Sequence, residues 1–238
     1  MNGPLKACLV ALAATTTIDP PVAAQPPVLR VGVSVEMPVT RNAVAMPDAD
    51  NQDSLILAVT AKGNVYFGII PISPADLAEK VKGGLSPRTE KKLYIKGDSR
   101  TSYTNIAMVL EAVRKAGIDA PNLLTAQRDS PEPGYPVPPK GLEVLVGPSL
   151  PSASESIVVR VLKAEQRPTL IVNNERISFD ALPATLRQCF QNRSQRIVVA
   201  EADERLPFGD AVRVIDTCRS VGAKVFLATA GAGRTSAE

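Results

Sequence analysis

Two short stretches carry residue types from which a charged site could be built. Asp98 and Arg100 stand two positions apart, and the same pair recurs as Asp203 and Arg205. Each Asp follows an apolar run and precedes a helix-spaced one by a few residues. A carboxylate there could contact a ligand or partner. Asp in a turn also commonly accepts hydrogen bonds from its own backbone, with a nearby Arg as counter-charge. The structural role is the expectation for all four residues.

Other chemistry is thinly supplied. The chain has no histidine, which removes the commonest general acid/base, the commonest metal ligand and every Ser-His or Cys-His pair. Cys189 and Cys218 have no further soft ligands with which to build a metal site. They read as two small core side chains, or as one disulfide in an oxidising compartment. The stretch ATAGAGR (228–234) lacks the Lys-Ser/Thr ending of a phosphate loop, and no helix follows it, so 232–238 reads as a flexible tail. No catalytic, cofactor-binding or metal-binding residue is expected, and the chain does not read as an enzyme.

The spacing of the two Asp-x-Arg pairs belongs to a larger pattern. Shifted by 105 positions, residues 65–117 overlie 170–222 without a gap. Ile72, Ser73, Leu77, Val109, Arg114 and Gly117 fall on Ile177, Ser178, Leu182, Val214, Arg219 and Gly222, and Tyr103 falls on Phe208. The period is too long for a solenoid unit and matches a small domain copied once. The 238 residues then divide into two modules, each large enough for one modest core.

Charge adds an exclusion. Lys and Arg number 27 against 24 Asp and Glu, for a net +3, and the signs are interspersed. With no run of five like charges and only nine aromatics, nucleic-acid binding is not expected. At the N-terminus, Lys6 precedes the apolar stretch 7–14, and Val22-Ala23-Ala24 offers small residues before Gln25. That pattern reads as a secretory signal peptide over 1–24, too short to span a membrane as it stands. A retained short anchor is the alternative.

The elements that must position these residues come from periodicity. Residues 28–36 alternate like a strand ended by Met37-Pro38. A hairpin is expected over 55–60 and 65–68. A helix capped by Ser73 follows, with Gly83-Gly84 stopping it. Then come a strand over 93–96, a helix over 103–113 stopped by Gly117, and a strand beginning at Leu123. The second copy repeats the order: a leading strand over 142–146, a hairpin over 157–162 and 169–173, a Ser178-capped helix, a strand over 197–200, a helix over 208–221, and a strand over 225–229. Five prolines within 131–139 mark 128–141 as a semi-rigid spacer. The expected fold is α+β: two tandem β-β-α-β-α-β modules, 28–127 and 142–231, each a mixed sheet with two helices on one face.

The second copy, RIVVAEADERLPFGDAVRVIDTCRSVGAKVFLATAG (196–231), resembles the C-terminal half of the periplasmic domain of ExbD/TolR biopolymer-transport proteins. KLYIKGDSRTSYTNIAMVLEAVRKAG (92–117) has the same order, more diverged. LAVTAKGNVYFGIIPIS (57–73) resembles the family hairpin, and VEMP (35–38) the Leu-Pro step after its membrane helix. The resemblance implies an accessory of a proton-motive-force-coupled envelope system, located in the periplasm or there in association with the inner membrane. Implied partners are an ExbB/TolQ-like membrane ring protein, a TonB/TolA-like protein or peptidoglycan. It also implies that modules which usually pair between chains here pair within one chain as a pseudo-dimer. The family's proton-carrying Asp has no counterpart to which its role can be transferred, since Asp19 lies at the end of the apolar stretch. The competing expectation is a cell-wall-binding module independent of a motor.

Overall fold

The computed structural model describes residues 32–51, 54–87, 92–127, 138–147, 151–152, 155–165 and 167–228. The proposed signal peptide and most of the spacer lie outside them. Short strands β1 (Val39–Thr40) and β2 (Val44–Ala45) lead into β3 (Leu55–Val59), β4 (Val65–Phe67) and β5 (Ile70–Ile72). Helix α1 (Leu77–Leu85), β6 (Leu93–Gly97), α2 (Tyr103–Lys115) and β7 (Asn122–Gln127) complete the first copy. After β8 (Lys140–Glu143), the second copy runs β9 (Ser156–Leu162), β10 (Thr169–Val172), β11 (Glu175–Ile177), α3 (Leu182–Phe190), β12 (Ile197–Ala202), α4 (Phe208–Ser220) and β13 (Lys224–Leu227).

The two sheets share one topology. The order β5-β4-β3-β6-β7 in the first matches β11-β10-β9-β12-β13 in the second. In each, the central pair is parallel and the hairpin antiparallel. Period-2 alternation sends Leu55, Leu57 and Val59 to the helix-covered face, where they join Leu77, Val81, Ile106 and Leu110. The opposite face of the first sheet buries Tyr94 and Leu124 under Ala49 and Met46. The fold is thus α+β, with two mixed sheets and four helices.

Several local expectations shift. Residues 32–38 form no strand, and pairing begins only after Pro38. The backbone of Glu36 bonds Asp98 Oδ2 and Ser99 N instead of a ladder. β5 and β11 are additional three-residue edge strands. Ser73 and Ser178 each cap a turn, their Oγ accepting from Asp76 N and Ala181 N at 3.3 and 3.2 Å. The helices proper begin later, at Leu77 and Leu182. Gly83-Gly84 lies inside α1 rather than ending it. A side chain at Gly84 would meet the Phe67 ring at 2.8 Å, so close helix–sheet packing accounts for the glycine. Gly117 and Gly222 do end their helices in left-handed conformation, at φ 87° and 75°.

The segment leading the second copy crosses between sheets. β8 pairs antiparallel with β7 of the first sheet, so Lys140 and Gly141, read as the end of the spacer, are already in a ladder. Two residues on, Leu145 bridges Phe226 of the second sheet in parallel. Cys189 and Cys218 are free thiols, and burial pushes Cys218 up to about 12, leaving it inert.

Packing also leaves one polar orphan. The Tyr103 hydroxyl is buried with no partner among the described residues, and Phe208 occupies the matching place in the second copy. An unsatisfied buried hydroxyl costs about 1–3 kcal/mol. Tyr103→Phe is expected to stabilise the fold by about 1 kcal/mol, read as a higher urea midpoint at unchanged m-value.

Candidate functional site: the turns and cleft at the module junction

The four charged residues singled out from sequence lie in the two turns that join the modules. Phe208 N donates to Thr101 O, and Tyr103 N donates to Leu206 O, both at 2.8 Å. Gly209 N donates to Ser99 O at 2.9 Å, and Thr104 N to Glu204 O at 3.1 Å. Each bond has its mate 105 positions away in the other module. Ser102 and Pro207, which are equivalent positions, bridge one another. Contact of i with j mirrored by j with i is the signature of a two-fold, isologous interface.

Within each turn the Asp organises the backbone. Asp98 is 2% exposed. Its Oδ1 accepts from Arg100 N at 3.1 Å and Arg100 Nε at 2.8 Å. Its Oδ2 accepts from Arg100 Nη2 at 2.8 Å and Glu36 N at 3.1 Å. The Arg100 fork, foremost, and the two backbone N–H groups hold the Asp98 carboxyl far below the usual carboxylate range, against the opposing effect of burial. Asp203 makes a looser version: it accepts from Arg205 N at 2.9 Å, while the exposed Arg205 guanidinium stands 3.9 Å away.

The depressed Asp98 pKa has a consequence for stability. A lowered folded-state pKa contributes stability above the unfolded carboxylate value of about 3.9, and that contribution is lost as pH falls below it. Asp98→Asn is expected to cost about 2 kcal/mol at pH 7, the scale of a buried charge-assisted bond. It should also flatten the fall in thermal midpoint below about pH 4. Unfolding scans of both proteins across that range check both effects.

Beside the turns, a second attachment was not anticipated. Asp216 of α4, 9% exposed, accepts from Arg41 N at 3.1 Å and Asn42 N at 2.8 Å. The Asn42 side-chain amide donates to the Asp216 carbonyl at 3.1 Å. The strand that begins the first module is therefore pinned to a helix of the second. A signal for this lay in the sequence: Asp216 stands four residues after Val212 on the buried stripe of α4, where an acid needs a partner. Arg41 and Asn42 carried no local signal.

These attachments border a cleft of about 760 Å3, lined among others by Val39, Arg41, Phe179, Asp210, Arg213 and Asp216. Within the lining, the Arg213 guanidinium lies 5.1 Å over the Phe179 ring and 3.7 Å from Asp210. Val39, also in the lining, is 50% exposed. Apolar surface beside charges of both signs suits contact with a polypeptide. No group of three metal-ligating side chains occurs among the described residues, and no helix among them is long and apolar enough to cross a membrane.

The class defined by this architecture is a duplicated α+β module paired across its own junction. Comparison with known families gives it a more particular place. The model for the biopolymer transport protein ExbD/TolR matches residues 7–128 and again 138–231, and the chain belongs to that family. The first match takes in the apolar stretch 7–14. Among curated proteins, the Tol-Pal system protein TolR of Pseudomonas aeruginosa is 26% identical over 110 residues, covering 42% of this chain and 75% of that protein. No solved structure matches the chain.

Proposed function

We propose that this chain is a non-catalytic accessory of a cell-envelope transport system, working on the periplasmic side, in which the two modules form a ready-made pair that docks a partner polypeptide at their junction. The observation that carries this reading is the reciprocal pairing of turns 98–104 and 203–209 in a chain that matches the family model twice. The junction cleft receives an extended segment of a TonB/TolA-like protein or of an ExbB/TolQ-like ring. Phe179 and Val39 supply apolar area, and Arg41 and Arg213 supply donors. Asp98, Arg100, Asp203 and Arg205 act indirectly, by holding the turns that form the junction.

The test is affinity purification from the native host of the full chain and of a Val39→Asp/Arg213→Glu variant. The expected result is co-purification of a ring protein with the wild type and loss of about tenfold or more with the variant, the scale of one or two interface anchors. Firm retention on purified sacculi, equal for both proteins and without a ring protein, would support the wall-binding alternative instead. Mass spectrometry of the same material reads the N-terminus: a chain beginning at Gln25 fits a cleaved signal, and an intact 1–24 in the membrane fraction fits an anchor. An intact chain in the cytoplasm would overturn the periplasmic reading.

A further inference from the structure

Away from the junction, the far end of the second module carries a recess of about 350 Å3 lined by Arg187, Arg193 and Arg196 together with Phe190, Gln191, Ser194 and Val221. We propose that it is a binding site for a phosphate-class anion.

Three observations support the assignment. The first is charge. The recess lies where α3 and α4 end, and each helix C-terminus contributes about half a negative charge. Arg187 and Arg196 alone exceed that demand by about one positive charge, Arg193 brings a third guanidinium to the same lining, and no carboxylate among the described residues lines the recess. The second is preparation. Arg196 Nη1 donates to the Val221 carbonyl at 3.1 Å, and Arg193 Nη1 donates to the Ser156 carbonyl at 3.2 Å. Arg187 makes no ion pair among the described residues. Guanidinium forks fixed by their supports, beside the Gln191 amide and the Ser194 hydroxyl, match the geometry of phosphate oxygens.

The third observation is the repeat. At the same 105-residue offset, the first copy carries Lys82, Arg88 and Lys91. The two copies have otherwise drifted: Cys189 faces Gly84, and Cys218 faces Val113. A cation is nevertheless kept at all three positions. Charges needed only to offset helix ends would tolerate relocation within the last turn.

The shared chemistry, a tetrahedral phosphate oxyanion, can come from free phosphate or from a phospholipid headgroup, and the experiment separates these. Backbone NMR shifts of the full chain are followed during titration with sodium phosphate at constant ionic strength, which removes general screening. The expected result is saturable shifts confined to residues 187–196 and 221, weakened about tenfold by Arg187→Gln and partly restored by Arg187→Lys. In a parallel arm, the protein is sedimented with vesicles of equal parts phosphatidylglycerol and phosphatidylcholine. Co-sedimentation that phosphate competes away assigns the headgroup as the source, and phosphate binding without co-sedimentation assigns the free anion. Shifts that never saturate, or that spread over the surface, overturn the site. So does phosphate or vesicle binding that Arg187→Gln leaves unchanged.

Discussion

Phe208→Ala is expected to cost about 4 kcal/mol, the range for truncating a fully buried aromatic side chain. Phe208 opens α4 in the second module, but its ring lies on the first. A side chain at Gly97 would come within 2.6 Å of its Cε1 and 3.0 Å of Ile106 Cδ1, and Phe208 itself has no exposed surface. The substitution therefore removes packing that both modules share. Urea unfolding should show either one transition at a much lower midpoint or two separated transitions, as expected once two cores no longer report a single equilibrium. Gly97→Ala gives the reciprocal check. Alone, it forces the ring to move and should destabilise by about 1–3 kcal/mol, the usual cost of overpacking. Combined with Phe208→Leu, part of that loss should return, as a coupling energy between residues in contact. Strict additivity would mean that the two residues do not meet.

The second large effect is expected at Asp216. Asp216→Ala strips the acceptor from Arg41 N and Asn42 N, and a hydrogen bond to a charged group contributes about 1.5–3 kcal/mol. A total near 3 kcal/mol follows if β1 lifts partly into water and recovers some hydration. Amide hydrogen exchange at Arg41 and Asn42 should accelerate by orders of magnitude, while β12 amides, deep in the second sheet, should slow or quicken only with global stability. Asp216→Asn, which retains one acceptor oxygen, should lie between. Unchanged protection at Arg41 and Asn42 would remove this attachment from the account.

These two sites show where sequence reading reaches and where it stops. The helix faces were legible because burial imposes a 3.6-residue period: Tyr103, Ile106, Leu110 and Val113 recur on it and are buried. The helix-ending glycines were legible because left-handed backbone favours that residue. The charged turns were legible as places, since Asp-x-Arg appears twice. β5 and β11 were not, because three residues are too few to establish alternation and Pro71 reads as a break. The crossing of β8 into the first sheet was hidden for a related reason: alternation describes a strand but not its neighbour. The cleft depends on contacts 174 and 175 residues apart, such as those from Asn42 and Arg41 to Asp216, which no local pattern encodes.

The duplication also accounts for an asymmetry. Turn 98–104 holds its Asp by four bonds at 2.8–3.1 Å, whereas turn 203–209 holds Asp203 mainly through the Arg205 backbone. Two separate chains in a symmetric dimer would share one sequence and one compromise. Joined in a single chain, the two halves can diverge, and both turns border the cleft, one through Ser99 and the other through Pro207 and Gly209.

The most direct test of that account is a disulfide across the pseudo-two-fold, with Ser102→Cys and Pro207→Cys introduced together in the full chain. The two residues bridge each other, at a separation a disulfide can span. Under mild oxidation, peptide mapping by mass spectrometry should recover a 102–207 link from protein that migrates as one cross-linked chain on a non-reducing gel. Links that form only between chains, or thiols at 102 and 207 that stay reduced in the folded protein, would contradict the pairing of the two modules within one molecule.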